Sequence, residues 1–145
     1  MPDINIMRID PVTRRVTWGW NLLPARNSGI ELLVQLTAKT ILTTSGQDYL
    51  RPEYGGSILS LTGRSLNSND IPRLNADIAY IVRKSEEQIL REQVDKIIKA
   101  SERLKKITLL GIDISLVTGV VRIDILVENE SGEADRFNFD SSVRN

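Results

Sequence analysis

Lys105-Lys106-Ile107-Thr108-Leu109-Leu110-Gly111-Ile112-Asp113-Ile114-Ser115-Leu116-Val117-Thr118-Gly119-Val120-Val121-Arg122-Ile123-Asp124-Ile125-Leu126-Val127-Glu128 is the stretch in which apolar spacing changes from helical to strand-like. Ile112, Ile114 and Leu116 alternate with polar neighbours, and Val121, Ile123, Ile125 and Val127 do the same with Arg122, Asp124 and Glu128 opposite. A period of two is that of a sheet with one dry face and one wet face. Thr118-Gly119 supplies the first turn. Asn129 to Glu133, with Gly132, supplies the second and leads into Phe137 and Phe139, again two apart. The expected product is a C-terminal antiparallel meander. Between Leu109 and Ile112 the alternation slips by one, and Gly111 falls there, which predicts a β-bulge.

Upstream the apolar period is helical. From about Ile71 no Gly or Pro follows Pro72 until Gly111, Asn69 or Asp70 can cap, and Pro72 sits in the tolerant first turn. The expected buried face is Leu74, Ile78, Ile81, Val82, Ile89, Val94 and Ile97, with Glu87/Arg91, Glu92/Lys96, Asp95/Lys99 and Glu102/Lys106 as i,i+4 pairs on the wet side. An unbroken helix to Leu104 and a kink after about Glu92 both fit the pattern. An earlier helix over about Gly29 to Thr44 is predicted by a stripe of Ile30, Leu33, Val34, Ala38, Ile41 and Leu42, behind a capping box Ser28-Gly29-Ile30-Glu31. At the N-terminus, residues 4–9 and 15–20 flank Asp10-Pro11-Val12-Thr13, whose Asp and Pro suit a type I turn in a small hairpin. Residues 47–69 read as a structured loop with a short helical turn at 57–61. The fold class is α+β: an N-terminal hairpin, two main helices and a C-terminal β meander, in one domain spanning residues 1–145.

Composition narrows the chemistry. The 145 residues hold 19 basic and 19 acidic side chains, no His and no Cys. Thiol nucleophiles, serine-histidine dyads and the usual zinc sites are therefore excluded, and neither metal nor cofactor is expected. Zero net charge lacks the footprint of a nonspecific nucleic-acid binder. The most apolar region is interrupted by Asp113, Arg122 and Asp124, so no membrane span is expected, and the charged first residues do not read as a signal peptide. The charge is nonetheless uneven. Residues 83–106 carry eight basic and five acidic groups, whereas residues 121–145 carry three basic and six acidic. Charge-complementary assembly with other copies or other proteins explains that polarity better than nucleic-acid binding, since no aromatics interleave the basic run.

Three groups of residues stand out. Arg51, Pro52, Glu53, Tyr54, Gly55 and Gly56 lack the Lys-Ser/Thr ending of a phosphate loop, and read instead as a tight structural latch joining the two helices. Glu86 and Glu87 are adjacent on a helix, where neighbours diverge by about 100 degrees, so they cannot face each other across a sugar as glycosidase carboxylates do. A solvated, ion-paired face or a salt-bridge site for an Arg of the second half of the chain is the simpler reading. Finally Arg136, Phe137, Asn138, Phe139 and Asp140 form a last strand, with Phe137 and Phe139 toward the core and Arg136, Asn138 and Asp140 outward. A meander has too few strands to close, so an edge remains for a partner, and the acidic excess favours a basic one.

The run from Ile30 to Leu59 carries a resemblance. Leu42-Thr43 at a helix end, Gly46, Arg51-Pro52-Glu53-Tyr54-Gly55 and then Leu59 resemble the signature of contractile-tail baseplate wedge proteins, also called sheath initiators and, in older usage, baseplate lysozymes. The order of long helix and meander matches over most of the chain. One departure is plain: the family often carries a Trp-Glu-Pro-Arg-like segment where this chain has Ser85-Glu86-Glu87-Gln88-Ile89, with Glu86 or Glu87 in place of the Glu and neither Pro nor Arg. The resemblance implies a non-enzymatic structural component of a phage tail baseplate. It would be assembled in the host bacterial cytoplasm, linking the wedge to the sheath and initiating sheath polymerisation by strand sharing at residues 136–140. Its implied partners are baseplate wedge proteins and the tail sheath protein, with tail tube or hub proteins as further candidates, and neither nucleic acid nor membrane. The alternatives are a carboxylate-based peptidoglycan hydrolase and a wedge subunit of a bacterial contractile secretion system. On this reading the isolated chain leaves purified peptidoglycan intact; turnover that disappears in Glu86→Gln or Glu87→Gln would favour the hydrolase instead.

Overall fold

The computed structural model describes residues 7–10, 12–18, 28–43, 45–47, 49–56, 58–61 and 67–142. Over these the chain runs β1 (Met7–Ile9), β2 (Val16–Trp18), α1 (Ile30–Leu42), α2 (Ile71–Gln93), β3 (Leu104–Ser115), β4 (Val120–Asn129) and β5 (Ala134–Ser142). Short 3-10 turns fall at Ile58–Leu61, Ser68–Asp70 and Ala100–Glu102. The class is α+β, as the sequence predicts. β1 and β2 pair as a hairpin, and β3, β4 and β5 form a three-stranded antiparallel sheet in that order. The outer parts of the predicted hairpin, residues 4–6 and 19–20, lie outside the described residues.

The meander follows its alternation closely. Val121, Ile123, Ile125 and Val127 of β4 are buried, and their neighbours across the sheet are apolar: Ile123 lies opposite Ile112 and Phe139, Ile125 opposite Leu109 and Phe137. Phe137 and Phe139 sit on one face with ring centroids 6.3 Å apart. The register shifts between Leu109 and Gly111, where the bulge is expected. The extra residue has a clear purpose: without it Ile112 and Ile114 would turn to the solvent side, because a one-residue slip in a strand reverses every side chain. Leu110 is the residue left outside, 46% exposed. Leu116, expected in the strand, lies instead in the turn to β4 and is exposed.

The helices cover the apolar face of the sheet. α1 packs over β4 and β5, α2 packs on β3, and the two helices touch each other. Their buried rows, Leu33, Val34, Ala38 and Ile41 from α1 and Leu74, Ile78, Ile81, Val82 and Ile89 from α2, join the sheet residues in one core. Burying each of the Leu, Val and Ile side chains contributes about 1.5–3 kcal/mol.

Helix ends differ from expectation in instructive ways. α1 starts after Gly29, which is its N-cap without a side-chain cap bond, so the Ser28 capping box does not form there. Asp70 does not cap α2 either. Its carboxylate accepts the Asn67 amide at 3.1 Å, and the two residues box the 3-10 turn that feeds α2. α2 stops at Gln93, so Val94 and Ile97, expected in the core, are 68% and 106% exposed. The buried amide of Gln93 accounts for the stop. It accepts the Leu104 N–H at 2.8 Å and donates to the Glu102 carbonyl at 3.2 Å, tying the helix end to the start of β3. That also removes the helical geometry required by the predicted pairs Asp95/Lys99 and Glu102/Lys106. Glu87 pairs with Arg83 rather than Arg91, and Glu92 with Arg51 rather than Lys96. Phe137→Ala should cost about 3–5 kcal/mol in urea denaturation, whereas Ile97→Ala should stay within about 0.5 kcal/mol. Equal losses would contradict the placement of the core.

Candidate functional site

Residues 51–56 form a latch wedged between α1 and α2. The Gly56 amide donates to the Thr40 carbonyl of α1 at 2.7 Å, and the Gly55 amide donates to Gln88 Oε1 of α2 at 3.2 Å. Gln88 Nε2 donates back to the Glu53 carbonyl at 3.4 Å. Thr40 Oγ1 gives its hydrogen to the Leu36 carbonyl, so the Tyr54 hydroxyl, 2.9 Å away, donates to it. The Arg51 guanidinium lies over the Tyr54 ring, 4.6 Å from its centroid, and reaches Glu92 of α2 at 2.9 Å. The cation–π contact and the half-exposed ion pair are each worth about 1 kcal/mol or less.

Both glycines are dictated by space. Gly55 has φ of 116°, and a Cβ there would stand 2.3 Å from the Thr43 carbonyl oxygen. A Cβ on Gly56 would meet Ser85 Oγ at 2.7 Å, Ile81 Cγ2 at 2.9 Å and Ile41 Cα at 3.1 Å. Residues 51–56 thus bond to both helices. Thr40, Ser85 and Gln88, their partners, were not singled out by the sequence; a polar residue on a buried helix stripe, as at Thr40 and Ser85, was the available signal.

Glu86 and Glu87 do different things. Glu86 Oε2 accepts the Ile107 amide at 2.5 Å, a donor on the outer edge of β3, while Glu87 makes the exposed pair with Arg83 at 3.1 Å. One carboxylate thus covers a sheet edge and the other is a surface ion pair. Asn129, which begins a glycosylation sequon, is buried, and its Nδ2 donates to the Ser101 carbonyl and to Glu133 at 2.9 and 2.8 Å.

The last strand is divided between core and edge. Phe137 and Phe139 face inward as expected. Arg136 and Asp140 lie on the other face, in a charge ladder: Arg136 reaches Asp124 at 3.2 Å, and Arg122 reaches Asp140 at 3.1 Å. The hydrogen bond from Arg122 to Asp140, followed by the charge of Asp140, raises the Arg122 pKa. A raised cation contributes stability below its unfolded-state pKa and loses it only as pH rises through the folded one, so Arg122 stays charged except in strong alkali. Asn138 departs from expectation. It is only 9% exposed, its Nδ2 donates to the Thr13 carbonyl at 2.8 Å, and its amide donates to the Arg14 carbonyl at 2.9 Å. The amide of Asn138 points away from β4, and the unshifted register puts those of Arg136 and Asp140 on the same outer edge.

Among the described residues no group of His, Cys, Asp and Glu could hold a metal ion, and no helix is long and apolar enough to cross a membrane. The features with definite geometry are thus a rigid two-layer α+β scaffold, a latch and two sheet edges. No family model and no curated protein matches the chain. A solved structure of similar fold is that of a "putative tail lysozyme" from Geobacter sulfurreducens, with a TM-score of 0.55 and 15% identity, covering 85% of this chain and 98% of that one. At that identity the likeness is one of fold. The latch makes a sharp prediction: Gly55→Ala should cost about 1–3 kcal/mol from backbone strain and a further about 1–3 kcal/mol from overpacking, while Glu92→Gln should cost about 1 kcal/mol or less. Thermal melts of the two variants check it, and a Gly55→Ala melt matching the parent would reduce the loop to a linker.

Proposed function

We propose that this chain is a structural component of a contractile tail baseplate that links the wedge to the sheath and initiates sheath polymerisation by accepting a strand at β5. The observation that carries the reading is the outer edge of β5, whose amides at residues 136, 138 and 140 point away from the sheet, that of Arg136 capped by its neighbour Asp135 Oδ1 at 2.8 Å, while its phenylalanines anchor it in the core. Such an edge gives an arriving strand backbone partners for affinity and alternating side chains for register. The latch supports the same reading, because a template must hold its edge still, and it contains the Arg51-Pro52-Glu53-Tyr54-Gly55 run that resembles the sheath initiators. The fold shared with the Geobacter structure adds a tail-related precedent. In this role the protein sits in the tail baseplate, contacts wedge proteins and the sheath, and needs neither metal nor cofactor.

The name of the Geobacter structure favours a second reading, peptidoglycan hydrolysis. Glu86 and Glu87 serve it poorly, since one carboxylate is engaged by a backbone amide and the other by Arg83. Removing β5 would not test the first reading cleanly, because Phe137 and Phe139 belong to the core. Asp140→Pro is better, since proline is tolerated on an edge and deletes one outward donor, with Asp140→Glu as the variant that keeps both the amide and the charge that pairs with Arg15 and Arg122. Baseplates carrying Asp140→Pro should assemble but lack sheath, and those carrying Asp140→Glu should grow it. Normal-length sheaths on the proline variant would refute strand acceptance at β5.

A further inference from the structure

The β5 edge is not bare in the free chain. Residues 13–15, in the turn that leads into β2, lie along it, and Arg15 forms a parallel bridge with Asn138. The Arg14 carbonyl accepts the Asn138 amide at 2.9 Å, Arg14 Nε donates to the Arg136 carbonyl at 2.9 Å, and the guanidinium groups of Arg14 and Arg15 pair with Asp135 and Asp140. We infer that this segment is a displaceable stand-in for a basic partner strand. The strand that joins β5 carries cations able to take over Asp135 and Asp140, and residues 13–15 hold the edge closed until it arrives. The inference rests on the reading of β5 as the joining edge and adds the chemistry of the partner and the means by which the edge is guarded.

Several observations converge on a cover that is specific yet weakly held. The acidic residues of β5 call for a basic neighbour, and the chain supplies one from 120 residues away in sequence, as the pairs Arg14–Asp135 and Arg15–Asp140 are 121 and 125 residues apart. Its backbone pairing is short: one bridge against a nine-residue strand, in the parallel sense, which is slightly the weaker pairing per residue, so that side chains, Asn138 to the Thr13 carbonyl and Arg14 to the Arg136 carbonyl, supply the rest of the grip. Arg14 has φ of 56°, among the described residues the one non-glycine in the left-handed region, and the turn that sets it is closed by its own bonds, Arg14 N–H to the Asp10 carbonyl at 2.8 Å and Asp10 N–H to the Arg15 carbonyl at 3.0 Å, so the cover is a preformed turn and not a strand of the sheet. The arginine side chains are 32% and 52% exposed, so water and salt compete for them. A full-length strand bearing its own cations would make more backbone bonds along β5 than the single bridge that the turn makes.

A disulfide staple tests this. The chain has no cysteine, and bridged strands lie about 4.8 Å apart, within the Cα span of about 4.4–6.8 Å that a disulfide accepts. In Arg15→Cys/Asn138→Cys, the oxidised protein should fail to nucleate purified tail sheath protein from the same particle, and reduction with dithiothreitol should restore nucleation. The opened variant Arg14→Ala/Arg15→Ala should nucleate several-fold faster than the parent at limiting sheath concentration. Equal nucleation by the oxidised and reduced staple, or no gain in the opened variant, would overturn the stand-in while leaving β5 as the joining edge. Silence of every form, the unmodified chain included, would overturn the sheath-initiator reading and the inference with it.

Discussion

A three-stranded sheet has one face it must bury and two edges it cannot pair, and the helices, the latch and residues 13–15 answer those demands. The apolar rows of β4 are satisfied on both sides by β3 and β5, but they still present a dry face that only another layer can cover. α1 and α2 supply it. Two helices on so small a sheet have little to fix their spacing, and the latch provides that: Gly56 bonds to α1, Gly55 to α2, and neither position has room for a side chain. The close approach at the two glycines is thus a condition for the helix layer, and the helix layer is a condition for the sheet.

The edges are covered by unlike means. On β3 the outward amide of Ile107 is met by Glu86, a carboxylate mounted on the long helix α2 and half-buried against the sheet. On β5 the outward amide of Asn138 is met by the carbonyl of Arg14, which sits in a loop closed on itself by Asp10, whose carboxylate accepts the amides of Val12 and Thr13 at 2.8 Å each. Unpaired edges invite aggregation, and single-residue covers are an economical defence. The difference lies in what each cover is attached to. Glu86 is mounted on α2, which packs on β3, whereas residues 13–15 belong to a surface turn whose arginine side chains meet solvent and which the core reaches through the following Val16.

The meander was legible because its signal is local and periodic: Val121 to Val127 announce their face, and the slip at Leu109 to Ile112 announces the bulge. The latch was legible for a different reason, since Gly-Gly after a stiff Pro-Glu-Tyr run has few other uses. What sequence could not supply were the partners that depend on tertiary approach. Val94 and Ile97 continue the helical stripe of α2 by spacing alone, and nothing local reveals that Gln93 will turn inward and bond across to Leu104. The ion pairs failed similarly: Glu92 has an i+4 lysine, yet its partner is Arg51, which the latch carries to it. Glu86 reads as a surface acid until β3 arrives beside it.

The acidic third of the chain meets a neighbour that its sequence does not announce. Asp135 and Asp140 pair with Arg14 and Arg15, in a turn of the chain itself. That outcome bears on polarity. A molecule that starts a polymer must present one growing edge, since two open edges would let copies join each other into a continuous sheet. Here the β3 cover is built into the helix layer and the β5 cover into a turn with solvent-exposed arginines. If the proposed role holds, an assembly begun on this scaffold would have a direction, set by where the two covers are anchored.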